Sequence, residues 1–192
     1  MAELRVARTE LILGGQKSGK TVRAEMLVAV WLDASPRHRA VYIATAQAWD
    51  EEMRERIVLH QRRRAERVPR METVEEPREL AQAIGRHSRA DTLIVVDCLT
   101  LWLTAQLMPA VGEGAQGVGV GAQQETISLA LQACAGPIIL ISNEVAPGAF
   151  PGGQDASVFL DALGGLNRQA AAACERVTLM SAGVALLLKG AS

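Results

Sequence analysis

The sequence predicts an α/β protein: a mostly parallel sheet flanked by helices, closed by a C-terminal antiparallel hairpin. Three observations carry that prediction. Short aliphatic or β-branched runs alternate with helix-like stretches along the chain, the pattern of strands buried on both faces between covering helices. The first run breaks into a glycine-rich turn just before a helix. The last two runs are separated only by Ala182-Gly183, too short a link for a crossover, so they pair as a hairpin.

The elements follow in order. Glu10–Leu13 reads as a buried strand and Thr21–Asp33 as the helix after it. Between them LILGGQKSGKT, Leu11 to Thr21, satisfies the pattern G-x-x-x-x-G-K-[ST]. Glycines at 14, 15 and 19 let the backbone curl so that its N–H groups point at phosphate oxygens. Lys20 supplies a charge to the terminal phosphates and Thr21 a hydroxyl for Mg²⁺. Gly14, Gly15, Gln16, Lys17, Ser18, Gly19, Lys20 and Thr21 are therefore candidate nucleotide-binding residues, and the fold is P-loop NTPase-like. The competing reading, a glycine turn that binds nothing, is disfavoured by a complete motif in a strand-to-helix context.

Ala40–Thr45 is the second strand, followed by helices over Asp50–Arg67 and Arg78–Arg86. Thr92–Asp97 is a strand, Gln123–Cys134 a helix, Pro137–Ser142 a strand and Ala156–Cys174 a helix. Arg176–Ser181 and Val184–Lys189 form the hairpin. Gly112–Gly121, half glycine, is outside this rhythm and reads as a flexible insertion, either filler or a substrate lid.

The bulk numbers fit one domain over residues 1–192. A net charge of −1 gives no basic field for nucleic acid or an anionic membrane, and six aromatic residues offer little base-stacking surface. Cys98, Cys134 and Cys174 are widely spaced in apolar surroundings, which suggests buried thiols rather than zinc or disulfides. Without a secretory signal or a spanning apolar run, the expected setting is soluble, reducing and cytoplasmic.

Three stretches bear on the chemistry. Asp97 ends an apolar strand, where a carboxylate suits a Mg²⁺ ligand, direct or through water; helix capping is the alternative. Met53, Ile57 and His60 fall on one helical face, and spacing alone favours an ordinary surface or core histidine. Arg62, Arg63 and Arg64 follow directly, suited to a triphosphate or to a solvated helix end. His38 and His87 lie in polar turns with weaker claims. Asn143 and Glu144, after the Pro137–Ser142 strand, face the same sheet edge as the P-loop, to read a substrate or to start a loop. The chain has Asn143-Glu144-Val145-Ala146 where a regulatory GTPase would carry Asn-Lys-x-Asp, which disfavours a switch.

These motifs together resemble the bifunctional adenosylcobinamide kinase / adenosylcobinamide-phosphate guanylyltransferase family of cobalamin biosynthesis. The matching pieces are LILGGQKSGKT, VYIATAQAWDEEMRERIVLH, TVEEP, VVDCLTLWLT, ISNEVAPGAFP and LNRQAAAACERVTLMSAGVALLLK. The resemblance implies phosphorylation of adenosylcobinamide by a nucleoside triphosphate (ATP or GTP), then GMP transfer from GTP to adenosylcobinamide phosphate through a guanylyl-histidine. His60 occupies the nucleophile position, with Lys20 stabilising phosphate charge. Ala44, Thr45, Ala46, Gln61, Arg62, Arg63, Arg64, Glu75 and Asp97 then surround the nucleotide, with Mg²⁺ at Thr21 and Asp97, in a homotrimer. A plain P-loop small-molecule kinase with no covalent nucleotide is the alternative. The chain departs from the family pattern with Lys17 for the usual Arg, Asp97 for a frequent Glu, and about three extra residues between His60 and Thr73. Phe159-Leu160-Asp161 and Asn167-Arg168-Gln169 depart as well, which bears on corrinoid or subunit contacts.

Overall fold

A computed structural model describes residues 4–48, 51–107, 120–144 and 154–191. Strand β1 (Thr9–Gly14) leads into helix α1 (Lys20–Ala34), β2 (Arg39–Ala44) into α2 (Glu51–Arg67), and β3 (Met71–Glu75) into α3 (Leu80–His87). Strand β4 (Thr92–Asp97) is followed by α4 (Leu99–Leu107) and α5 (Val120–Ala133), and β5 (Ile138–Ile141) by α6 (Gln154–Ala173). The hairpin β6 (Arg176–Ser181) and β7 (Val184–Lys189) comes last. All belong to one seven-stranded sheet in the order β3-β2-β4-β5-β1-β6-β7. β1 to β6 pair in parallel and β7 runs antiparallel to β6, as the sequence predicts.

The apolar runs are continuous because the sheet is covered on both faces. Leu11, Val41, Ile43, Ile94, Val96, Ile138 and Leu140 pack beneath α3 to α6, with Trp102, Leu103, Leu131 and Leu163. Their alternating neighbours Ile12, Ala40, Tyr42, Leu93, Val95, Ile139 and Ile141 pack beneath α1, against Ala24, Leu27, Val28 and Leu32. Each fully buried Leu or Ile contributes about 1.5–3 kcal/mol. Glu10 is a buried carboxylate within β1; Arg23 lies 3.3 Å from it, and the Thr178 hydroxyl donates to it at 2.7 Å.

Two elements go beyond the predicted series. Strand β3 is short, lies at the sheet edge and holds two glutamates, so no apolar run marks it. Helix α4 buries Leu99, Thr100, Trp102, Leu103 and Ala105, so its sequence has almost no polar face to give a helical period. Helix α3 starts at Leu80 rather than Arg78 because the Glu76 carboxylate accepts the N–H groups of Arg78 and Glu79 and holds them in a turn. In the glycine-rich stretch, residues 120–121 open α5 instead of continuing a loop, and residues 112–119 lie outside the described residues.

All three cysteines are buried and unpaired, and burial pushes the Cys98 and Cys174 thiols up to about 12. Among the described residues no helix is long and apolar enough to cross a membrane. Strand β7 is exposed on both faces, Val184 and Leu186 to Leu188 included. Its Lys189 turns back to donate to the carbonyls of Ala171, Ala172 and Cys174, at 2.7–3.0 Å, at the end of α6.

Candidate active site

From β1 the chain crosses β5 and β4 to reach β2, and later strands return to flank β1. In open α/β sheets, the edge beyond the strand C-termini at such a reversal is where ligands collect. The loop at that edge depends on its glycines. Gly14 has φ +147°, and a Cβ there would lie 2.3 Å from the Met180 carbonyl oxygen and 2.7 Å from Ser18 Oγ. Gly19, at φ +102°, opens α1 without a side-chain cap, and the first turn of α1 has no acidic residue. The first N–H groups of α1 therefore stay available to an anion. The hairpin turn braces the loop from outside, Gly183 N–H donating to the Ser18 carbonyl at 3.0 Å. Ser18 Oγ is buried with no hydrogen-bond partner among the described residues.

Gly14→Ala is expected to cost about 3 kcal/mol or more through backbone strain and overlap. For a chain of 192 residues that lowers the melting temperature by roughly 10 °C. A Cβ on Gly15 meets nothing within 4 Å, so Gly15→Ala should melt within about 2 °C of the wild type. Equal melting of the two variants would refute the close approach at Gly14.

Lys20 is buried, and its ammonium donates to the Gly14 carbonyl at 2.8 Å and the Gly15 carbonyl at 2.7 Å. Burial lowers its pKa, partly offset by Cys98 and Asp97. Thr21 Oγ1 donates to Asp97 Oδ2 at 2.9 Å, and the Tyr42 hydroxyl donates to that same oxygen. Burial, then the Asp97 charge, holds the Tyr42 phenol well above its ordinary range, so it remains a donor. Ala44 pairs in register with both Asp97 and Glu75, which aligns the ends of β2, β3 and β4. Thr45 is fully buried; its hydroxyl donates to the Cys98 carbonyl and accepts the Cys98 N–H, bracing the chain after Asp97. Ala46 is half-buried beside it.

After β5, Asn143 N–H donates to Thr100 Oγ1 and Glu144 N–H to the Gly14 carbonyl, so this segment is tied directly to the P-loop strand. Asn167 on α6 donates to the Asn143 carbonyl at 3.1 Å. The proximity of Asn143 and Glu144 to the loop, expected from the strand order, is thus realised through their backbone.

Helix α2 divides the remaining candidates. His60 is exposed. Gln61 donates to Glu75 at 3.0 Å, linking α2 to the end of β3. Arg64 is buried with its guanidinium carbon 3.7 Å from the Tyr42 ring centroid, while Arg62 and Arg63 are exposed. Helical spacing puts Arg62 roughly 160° around the axis from Arg64, so the three arginines leave the helix on different sides. Tyr42 is the residue sequence reasoning missed, since a phenol inside an apolar strand run looks like core. His38 stacks on Trp31, and its Nδ1 lies 2.6 Å from the Trp31 carbonyl, a structural use; His87 lies in the last turn of α3.

Loop, lysine and the hydroxyl–carboxylate pair at this edge define a P-loop nucleotide-binding protein. The flagellar accessory protein FlaH from Methanocaldococcus jannaschii shares the fold at a TM-score of 0.50 and 13% identity, covering 96% of this chain and 79% of that one. A family model described as cobinamide kinase / cobinamide phosphate guanyltransferase matches residues 10–188. The bifunctional adenosylcobalamin biosynthesis protein CobP of Pseudomonas aeruginosa is 40% identical over 94% of this chain and 97% of its own length. Its counterpart CobU of Escherichia coli is 31% identical over 93% of this chain and 98% of its own. The chain belongs to the cobinamide kinase / cobinamide phosphate guanyltransferase family, and is an enzyme of that bifunctional class.

Proposed function

We propose that the chain phosphorylates the aminopropanol hydroxyl of adenosylcobinamide with a nucleoside triphosphate, ATP or GTP, and then guanylylates the product. In the second reaction a neutral imidazole nitrogen of His60 attacks the α-phosphorus of GTP, and the bond to the β-phosphate breaks to release pyrophosphate. A phosphate oxygen of adenosylcobinamide phosphate then attacks the same phosphorus. The P–N bond breaks, giving adenosylcobinamide-GDP and restoring the histidine. The Thr21–Asp97 hydrogen bond beside the P-loop is the observation that supports the phosphoryl-transfer chemistry of this reading, and the resemblance supports His60 as the nucleophile.

The loop amides and Lys20 hold the phosphates, the lysine leaving the Gly14 and Gly15 carbonyls to do so. Thr21 and Asp97 fit Mg²⁺ as a hydroxyl and a carboxylate already converging, since that ion needs only one or two protein oxygens beside phosphate and water. When bound, the ion would neutralise charge on the transferring phosphates. Gln61, Arg62, Arg63 and Glu75 remain candidates for the nucleotide around His60, whereas Arg64 has its guanidinium on Tyr42. We read the working form as a cytoplasmic homo-oligomer, a trimer by resemblance; the apolar, doubly exposed β7 supports an interface.

The test is incubation with Mg²⁺ and GTP labelled on either the α- or the γ-phosphorus, followed by denaturing electrophoresis. A protein-bound label from the α-position only, lost in acid and stable in alkali, is the expected result. No adduct on protein that binds GTP would leave a plain P-loop kinase.

A further inference from the structure

We infer that Tyr42 and Arg64 are positioning residues for the histidine step, registering helix α2 against the carboxylate of Asp97. The inference rests on the guanylyl-histidine reading and gives Arg64 a role other than holding phosphate. Most described α2 side chains up to His60 are exposed, including Glu51, Glu52, Arg54, Glu55, Val58 and Leu59. The helix therefore does not lie on a broad apolar face as α1 does. Its second half is held by three polar contacts: Gln61 on Glu75, Arg64 on Tyr42, and Arg67 on Glu25 at 2.8 Å.

Two of these are weakened by water. Gln61 and Glu75 meet at the surface, and the Arg67 side chain is half exposed. Arg64 is 4% exposed and stacks on a ring that is itself 5% exposed, so this cation–π contact is made away from solvent. His60 is one turn earlier on the same face, about 6 Å along the axis. Because α2 runs back from the end of β2 to the start of β3, that turn lies toward the P-loop edge. Where Tyr42 holds Arg64 thus sets where His60 sits. The other end of Tyr42 donates to Asp97 Oδ2, which also takes the Thr21 hydroxyl. One side chain orients both the histidine helix and the carboxylate.

The test compares wild type with Arg64→Met, Arg64→Lys and Tyr42→Phe. The readouts are labelling by α-labelled GTP, phosphorylation of adenosylcobinamide, GTP affinity with Mg²⁺ chelated, and hydrogen exchange of residues 51–67. Arg64→Met is expected to slow labelling about tenfold or more through misplacement, with affinity changed less than about threefold and exchange in α2 raised. Arg64→Lys, which keeps a cation over the ring, restores part of both. Tyr42→Phe keeps α2 protected but loosens Asp97, slowing phosphorylation and labelling together. Loss of GTP affinity in Arg64→Met with unchanged α2 exchange would make Arg64 a phosphate ligand and overturn the inference. Unchanged labelling and exchange would overturn it equally. If wild type takes no label, the guanylyl-histidine reading fails by itself, and α2 exchange still decides the tether. Should Arg64→Met not fold, Arg64→Lys carries the comparison: a partial loss of labelling and of α2 protection with affinity kept is expected, and full retention of both would overturn the inference.

Discussion

His60→Ala is expected to abolish GMP transfer, by at least about 10⁴-fold, while phosphorylation of adenosylcobinamide continues. The separation follows from chemistry. On the proposed reading phosphoryl transfer uses the P-loop, Lys20 and the Thr21–Asp97 pair, which lie on β1, α1, the loop between them and β4. On the proposed guanylyl-histidine route GMP transfer needs in addition a nucleophile, and the candidate His60 lies on a different helix, α2, with its side chain exposed. Removing an exposed imidazole opens no cavity, so the melting temperature should move by no more than about 2 °C. Separate assays of the phosphorylated corrinoid and the GDP-linked corrinoid check the split. If both products fall together in a well-folded variant, His60 serves binding or structure and is not the nucleophile. If both persist, GMP passes directly from GTP to its acceptor.

Why those two parts differ in legibility is a matter of local against tertiary information. The P-loop was readable because its pattern is a fixed spacing of Gly14, Gly19, Lys20 and Thr21 along the chain, and the structure sets it between β1 and α1. The place of Asp97 at the end of a buried strand was readable from the apolar run before it, where a carboxylate is costly without a partner. The two meet in the Thr21–Asp97 hydrogen bond. The arginine run is the opposite case. Arg62, Arg63 and Arg64 are equivalent in composition, and only the placement of α2 over β2 sends one onto Tyr42 and leaves two in solvent. Tyr42 was hidden for a related reason. In AVYIAT it satisfies the buried-strand pattern, and its hydroxyl acquires meaning only once β4 lies beside β2. In β3 and α4 the usual periodicity fails, since one is an edge strand with two glutamates and the other a helix buried almost all round. At His60 spacing alone favours an ordinary histidine, its side chain is exposed, and the nucleophile role rests on the resemblance.

Lys20→Met is expected to lower both activities by about 10²–10³-fold without lowering stability. Burial lowers the pKa of Lys20, so the folded chain holds that proton less tightly than the unfolded chain. A group shifted this way subtracts stability while charged; the deficit is complete below the folded pKa and disappears as pH rises from there to 10.5. Methionine removes the buried charge and retains an unbranched apolar stem. The two carbonyls it abandons keep other donors, Glu144 N–H on Gly14 at 3.1 Å and Ser18 N–H on Gly15 at 3.3 Å. The variant should therefore melt at or above the wild-type temperature near neutral pH. In the wild type, kcat/KM should fall on the alkaline side at a pH below 10.5, because the free enzyme must carry the charged lysine to meet phosphate. A destabilised Lys20→Met would mean that the two carbonyl contacts outweigh the cost of burying the ammonium. A stable variant that keeps its turnover would take Lys20 out of the chemistry. The expected pairing, activity lost and stability kept, is the mark of a charge held in the fold for the nucleotide rather than for the fold itself.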